Sequence, residues 1–121
     1  MSLQPVPIQN VPGVPDYTCT AFLPKSSDYC LLIPVINEGS RILTELGRAQ
    51  KAGVDRLVDI VICDGGSTDG SMNPDTLELY GVNTLLVKTG PGKQGAQLRM
   101  GLHFALTFGY KGVLTIDGNN K

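Results

Sequence analysis

Apolar and polar positions follow one another in blocks along most of the chain, and the blocks alternate between two kinds of pattern. Four apolar runs predict buried strands, at residues 31–36, 54–63, 82–87 and 113–116. Three segments between them are expected to be helices, at residues 38–52, 74–80 and 94–108. Asn37 is expected to cap the first helix and Gly53 to end it, while Asn73 caps the second. The last helix is expected to turn one stripe toward the core, made of Leu98, Leu102, Ala105 and Leu106.

The resulting order of elements is β-α-β-α-β-α-β, which predicts an α/β fold. Strands with continuous apolar cores are typical of a mostly parallel sheet that helices cover on both faces. We therefore expect a three-layer α/β/α arrangement of the Rossmann-like kind.

Residues 1–28 differ from the rest of the chain, because they hold five of its eight prolines. Their charged side chains are Asp16, Lys25 and Asp28. Proline lacks a backbone N–H and blocks helix formation, so an extended arm is expected here, packed on the domain or trailing from it. The expected organisation is thus a proline-rich arm at 1–28 and one α/β domain at 29–121.

Composition and charge argue against several classes of protein. The chain has 121 residues, 41% of them apolar and 17% charged, which suits one globular domain. Ten basic and eleven acidic residues give a net charge of −1, so no basic field is present to bind a nucleic-acid backbone. Three cysteines without metal-site spacing and a single histidine argue against a disulfide framework and a multi-histidine metal centre. This cysteine usage favours a reducing compartment, and the expected location is cytoplasmic.

Polar clusters follow each of the four predicted strands. They lie at residues 37–38, 64–71, 88–95 and 117–120. Because the strands of a parallel sheet end at one common edge, these clusters are expected to converge there. Ligands of open α/β sheets bind at that edge. The sequence therefore predicts a ligand site at the carboxyl ends of the strands.

The cluster DGGSTDGS at 64–71 has two interpretations. Asp64 ends the second strand, and its carboxylate can accept hydrogen bonds from a sugar hydroxyl or a base N–H. Gly65 and Gly66 would then let the backbone approach a flat ligand closely. Alternatively, the segment is a turn in which Asp64 and Asp69 cap the residues that follow.

The segment GPGKQG at 90–95 fits the pattern GxGxxG, follows a strand and opens a helix. Asp117 lies 22 residues after Gly95, as in a dinucleotide-binding fingerprint. A dinucleotide-binding oxidoreductase module is therefore a second hypothesis. The position in the third βα unit favours instead a glycine-rich turn whose Lys93 faces an anion.

Asp117 and Asn119 place two oxygen donors at positions i and i+2, where the fourth strand ends. Both can reach a hard divalent cation such as Mg²⁺ or Mn²⁺ that also binds phosphates. The alternative is an Asp-Gly turn in which Asn119 serves as a turn residue.

Four segments carry a family resemblance, namely IPVINE at 33–38, VICDGGSTDGS at 61–71, GKQGAQLRMG at 92–101 and LTIDGN at 114–119. In order and spacing they resemble the family 2 glycosyltransferases of the GT-A fold, in particular the polyprenyl- and dolichol-phosphate sugar synthase branch. The match covers residues 29–121, and DGGSTDGS is its most specific part. The resemblance implies that this chain is the N-terminal, donor-binding half of such an enzyme.

The resemblance also implies a nucleotide-diphosphate sugar as donor and a divalent metal, Mg²⁺ or Mn²⁺, as cofactor. The substrate-binding residues that it implies are Pro34, Asn37, Glu38, Asp64, Gly65 and Lys93. Asp117 would be the first acid of the metal-binding DxD motif, and Asn119 stands in place of the second. Gly65 stands where the family usually has another acid. The metal is expected to bind weakly without nucleotide, because one charged and one neutral ligand form a poor cage.

The resemblance further implies an acceptor, for which a polyprenyl phosphate at a membrane surface is one candidate. The catalytic base is expected beyond Lys121, so the 121-residue chain alone is expected to be inactive in transfer. By right-handed crossover and analogy, the strand at 113–116 should lie beside the first strand, with an open apolar edge. This edge is expected either to favour self-association or, as the weaker candidate, to be covered by the proline-rich arm. A third hypothesis is a non-catalytic nucleotide-binding domain.

Overall fold

The computed structural model describes residues 5–91 and 94–116, apart from the side chain of Gln94. These residues form six strands, β1 (Val6–Ile8), β2 (Tyr17–Ala21), β3 (Tyr29–Val35), β4 (Asp59–Asp64), β5 (Val82–Lys88) and β6 (Gly112–Thr115). They also form four helices, α1 (Arg41–Lys51), α2 (Val54–Leu57), α3 (Pro74–Leu79) and α4 (Gln94–Thr107). The four strands and three helices expected from the sequence are all among them.

The six strands form one mixed sheet in the order β1-β2-β5-β4-β3-β6. Strands β5, β4, β3 and β6 are parallel to one another, whereas β1 and β2 are antiparallel additions at one edge. The prediction of an α/β fold with a mostly parallel sheet is confirmed. The expected position of the last strand is also confirmed, because β6 pairs with β3.

Two predicted boundaries are wrong. The strand expected from residue 54 begins at Asp59, because the chain first forms the short helix α2 after Gly53, whose φ is 79°. Helix α1 begins at Arg41 with Ser40 as its N-cap. Asn37 cannot cap it, since the Asn37 backbone has a φ of 48° and lies outside the helix. Gly53 does end α1, as expected.

The proline-rich arm supplies β1 and β2. Strand β2 pairs along the whole of β5, from Tyr17 opposite Lys88 to Ala21 opposite Thr84. The phenol of Tyr17 also lies 2.7 Å from Nδ1 of His103 in α4, so the arm is fastened to both the sheet and a helix. The described part of the arm therefore lies at the edge of the sheet opposite β6 and does not cover the edge of β6, so cover by these arm residues, the other outcome expected for that edge, is wrong.

Two clusters of buried side chains form the core. Successive residues of β3 and β4 alternate between them, since neighbouring side chains of a strand point to opposite faces. One cluster contains Met100, Phe104 and Ala105 of α4. The other contains Ile42 and Leu46 of α1, together with a leucine of α3.

The stripe predicted for α4 is wrong at two of its four positions, although Ala105 is buried as expected. Leu102 and Leu106 are 43% and 79% exposed, while the buried face carries the polar Gln97 and a glycine, Gly101. Apolar residues alone therefore do not identify the face that packs on the sheet. At Gly101 the helix lies so close to the sheet that a Cβ would sit 2.8 Å from Sγ of Cys63.

We expect Gly101→Ala to lower the free energy of unfolding by up to about 2 kcal/mol, because overpacking costs roughly 1–3 kcal/mol and improved helix propensity returns about 1 kcal/mol. Gly47→Ala in α1 is the matched control. Its new Cβ would lie 3.7 Å from the Tyr80 ring, an ordinary contact, so the substitution should raise stability by about 0.5–1 kcal/mol. Urea denaturation of both variants checks the prediction, and shifts of the same sign would contradict it.

Candidate functional site

The carboxyl ends of β3 and β4 lie side by side, since Val35 pairs with Asp64 in the parallel register. Two loops continue from them, residues 36–40 after β3 and residues 65–73 after β4. We call these two loops, with Asp64, the carboxyl rim. The site residues Asn37, Glu38 and Gly65, expected from the sequence, all belong to it.

Three hydrogen bonds join the two loops of the rim. The Asn37 N–H donates to Oγ of Ser67 at 2.9 Å, and the Thr68 N–H donates to Oδ1 of Asn37 at 2.8 Å. The Gly39 N–H donates to Oδ2 of Asp69 at 3.1 Å. The left-handed backbone of Asn37 allows both its N–H and its amide oxygen to face the second loop. The loops therefore form one connected surface.

Asp64 is buried, with 2% of its surface exposed. Its Oδ1 accepts hydrogen bonds from the N–H and the hydroxyl of Ser67, at 3.0 and 2.6 Å, and Oδ2 lies 3.2 Å from the same N–H. The turn interpretation of DGGSTDGS is thus confirmed for this residue. A carboxylate offers about four acceptor positions, so Oδ2 keeps capacity for a further donor.

Asp69 caps its own turn in the same way. Oδ1 accepts from the hydroxyl and the N–H of Ser71, at 2.5 and 3.0 Å. These hydrogen bonds, with a smaller contribution from the Gly39 N–H, hold the pKa of Asp69 below its ordinary value. The carboxylate is therefore ionised at neutral pH and fixes the outer part of the rim.

Glu38 is paired within its own loop. Its carboxylate accepts a hydrogen bond from the guanidinium of Arg41, and its side chain is only 8% exposed. The charge of Glu38 is therefore compensated inside the protein. Among the rim acids, Asp64 is the one at the end of a strand.

Pro34 lies in β3, where its place in a central strand needs explanation. Backbone groups along a strand point alternately to its two sides. The carbonyl of Val35 faces β4, where it accepts from the Gly65 N–H, and the carbonyl of Leu32 faces β6, where it accepts from the Ile116 N–H. Pro34 thus faces the β6 side, beyond the point where the described register with β6 ends at Leu32. Its missing N–H costs that register no hydrogen bond.

Gln97 of α4 contacts the strand ends beside the carboxyl rim, and the sequence analysis missed it. Its amide Nε2 donates to the carbonyls of Val35 and Cys63, each at 2.9 Å, and so joins the ends of β3 and β4 to the first turns of α4. Only 4% of Gln97 is exposed. A Cβ on Gly65 would lie 3.0 Å from Cδ of Gln97, so the glycine gives room for this amide. The signal in the sequence for this role was a polar residue three positions before Met100, on the same face of the helix.

The remaining expected site residues are Lys93, Asp117 and Asn119, and all three lie outside the described residues. Within residues 5–91 and 94–116, no three side chains of His, Cys, Asp or Glu come together to hold a metal. The three cysteines are buried, and burial raises their pKa values to about 11 for Cys19 and Cys30 and about 12 for Cys63. They are therefore protonated at neutral pH and unsuited to act as nucleophiles.

A cavity of about 230 Å³ adjoins the rim on its outer side. It lies between the start of α1, at Gly39, Ser40 and Leu43, and the loop that contains Asp69. The rim therefore offers a concave surface next to the connected loops.

Comparison with known proteins gives no relative, since no protein-family model, curated protein or solved structure matches the chain. Within the described ranges, no helix is long and apolar enough to cross a membrane.

Gln97→Leu should lower the free energy of unfolding by about 1–3 kcal/mol, because it removes two buried hydrogen bonds that each contribute about 0.5–1.5 kcal/mol. Gln50→Leu is the control. It also removes an amide that donates to a backbone carbonyl, that of Leu79 at 3.1 Å, but this amide is exposed and water can replace it. The control should change stability by less than about 0.5 kcal/mol. Equal losses in urea denaturation would show that the rim amide has no special role.

Proposed function

We propose that the chain is the donor-binding part of a glycosyltransferase and binds a nucleotide-diphosphate sugar at the carboxyl rim. In this proposal the fold is the three-layer, Rossmann-like N-terminal half of a GT-A fold. The acceptor is a separate molecule, for which a polyprenyl phosphate is one candidate. Transfer would also need a base, and the proposal assigns that role to none of the described residues.

The observation that carries the proposal is the reversal of strand order at β3. From β3 the chain proceeds through β4 to β5 on one side, and it then returns to β6 on the other side of β3. Open α/β sheets bind ligands outside the carboxyl ends of their strands at such a reversal. The loops that are hydrogen-bonded into one surface lie at this end of β3 and β4.

The chemistry of the rim suits a nucleoside more than a phosphate group. Asp64 and Asp69 would repel an anion placed directly on them, whereas a ribose hydroxyl or a base N–H can donate to a carboxylate. Asp64 is the strongest candidate, because Oδ2 retains acceptor capacity. The diphosphate would then extend away from Asp64, toward the expected positions of Lys93 and Asp117.

A divalent metal is expected from the family resemblance alone. Its expected ligands, Asp117 and Asn119, lie outside the described residues, and no described cluster replaces them. The proposal therefore concerns nucleoside binding by the rim and assigns no reaction step to a metal.

Gly90, the first glycine of the segment on which the oxidoreductase alternative rests, has a structural explanation that needs no dinucleotide. The N–H groups of Thr89 and Gly90 both donate to the carbonyl of Asp16 in the arm, at 2.8 and 2.9 Å. A Cβ on Gly90 would lie 2.9 Å from the Asp16 nitrogen, so the close approach of the arm already requires glycine there. This contact favours a structural turn over a cofactor-binding loop.

Titration calorimetry with UDP-glucose and GDP-mannose, each with and without Mn²⁺, tests the proposal, and NAD⁺ serves as the competing ligand. We expect saturable binding of at least one sugar nucleotide and none of NAD⁺. Asp64→Asn should weaken that binding by about 1–3 kcal/mol, because a charge-assisted hydrogen bond is lost. The asparagine oxygen can still accept from Ser67, so the turn is retained.

Asp75→Asn is the matched control for this experiment. Asp75 is exposed in the first turn of α3, away from Asp64, so its substitution should leave the affinity unchanged. Thermal melting of both variants shows whether the fold is intact. Binding of NAD⁺ in preference to the sugar nucleotides, or equal affinity of wild type and Asp64→Asn, would contradict the proposal.

We further propose that the edge of β6 pairs with a second copy of the 121-residue chain. In the described part of the sheet β6 has a neighbour on one side only, and Leu114 is 53% exposed. Leu114→Lys should therefore reduce self-association measured by light scattering, since charged side chains blunt sheet edges. Leu57→Lys, at a position 72% exposed in α2, should have no such effect. A monomeric wild-type chain would contradict this proposal.

A further inference from the structure

A second, larger cavity lies at the opposite end of the sheet from the carboxyl rim. Its volume is about 430 Å³, within the range of small-molecule sites. The arm strands β1 and β2 form one wall, and Phe104 and Phe108 near the end of α4 form another. Thr84, near the start of β5, also lines it. The cavity is therefore separate from the residues of the proposed donor site.

The uncharged polar side chains that line this cavity already have partners inside the protein. The amide of Asn83 donates to the carbonyl of Pro24 at 3.0 Å, and the hydroxyl of Thr84 donates to Oδ1 of Asn83 at 2.8 Å. The phenol of Tyr110 donates to the buried carboxylate of Asp59 at 2.7 Å. A ligand inside the cavity would thus meet apolar surface and find few hydrogen-bonding groups.

One charged side chain lines the cavity. The ammonium of Lys25 lies 5.2 Å from the centre of the Tyr110 ring and 3.8 Å from Oδ1 of Asp28. Lys111 lies 3.6 Å from the other oxygen of Asp28. The exposed charges at this side of the cavity are thus two ammonium groups and one carboxylate, while the buried Asp59 carboxylate lies behind the Tyr110 hydroxyl. Phosphate would carry more negative charge than this pair can balance, whereas a single carboxylate would match it.

The cavity walls expose large apolar side chains to solvent. Val6, Leu23 and Phe108 are 56%, 44% and 50% exposed, and all three line the same cavity. Apolar surface gathered around a concave site is typical of binding surfaces. A bound aliphatic chain would remove this surface from water, and each buried methylene contributes roughly 0.8 kcal/mol.

The geometry points to a second binding site in this cavity, which takes an aliphatic carboxylate. The alkyl chain would lie between the arm strands and the two phenylalanines of α4, and the carboxylate would lie beside Lys25. This site depends on the pairing of the arm with β5, because β1 and β2 supply one of its walls. It does not depend on nucleotide-sugar binding at the rim.

Calorimetry with dodecanoate and with dodecanol, which share one chain length, tests the binding of the alkyl chain and of the carboxylate separately. We expect saturable, one-to-one binding of dodecanoate by the 121-residue chain. Lys25→Ala should weaken dodecanoate binding by about fivefold, the worth of an exposed ion pair, and leave dodecanol binding unchanged. Lys51→Ala, at the end of α1, is the matched control and should change neither.

Ala21→Trp tests the cavity itself. Ala21 is exposed and lines the cavity, so an indole at this position should fill it and abolish binding of both probes without loss of the fold. Phe108→Ala, which removes a half-exposed wall residue, should weaken both probes and checks the result if the first variant unfolds. The inference would be overturned by absence of saturable dodecanoate binding. Unchanged binding in folded Ala21→Trp, or equal effects of the two lysine variants, would overturn it as well.

Discussion

The backbone carbonyls of Val35 and Cys63 impose the constraint on which the carboxyl rim depends. Val35 is the last residue of β3 and Cys63 the last but one of β4, and both carbonyls are buried where the ladder between the strands stops, so each can accept a donor from α4 as well. The buried amide of Gln97 supplies a donor to each. Because Gln97 lies three positions before Met100, this contact also sets which face of α4 packs on the sheet.

Two glycines follow from that contact. With Gln97 held at the strand ends, the next turn of α4 comes so close to the sheet that Gly101 has no room for a Cβ against Cys63. Gly65 in turn leaves space for the Gln97 amide itself. Gly65, which belongs to the DGGSTDGS segment of the family resemblance, therefore also has a packing role beside Gln97. The two roles are compatible, since a small residue exposes backbone on the side away from the amide.

The sequence predicted those parts of the fold that local patterns specify. Continuous apolar runs identified β3, β5 and β6, and the Asn73-Pro74 pair identified the start of α3, where the Asn73 side chain accepts from two backbone N–H groups. It could not predict contacts between distant residues. The partners of Gln97 lie 62 and 34 positions away, and the role of Asn37 depends on a loop about 30 positions further on. Leu102 and Leu106 were wrongly expected on the buried face of α4 for the same reason, because a polar residue and a glycine help to define that face.

The arm shows how a proline-rich segment can join a sheet. Pro7 is paired in β1, but β1 is the outermost strand, so its missing N–H costs an edge position and not an interior one. Strand β2, which must pair on both sides, contains no proline. Its residues Tyr17 and Cys19 are buried against α4, so the arm extends one face of the core beyond β5. Helix α4 is too short to cover this extension completely, and the uncovered part is the larger cavity. The strands that complete one edge of the sheet thus create an apolar cavity at the end opposite the rim, and the two ends of one small sheet present chemically different surfaces.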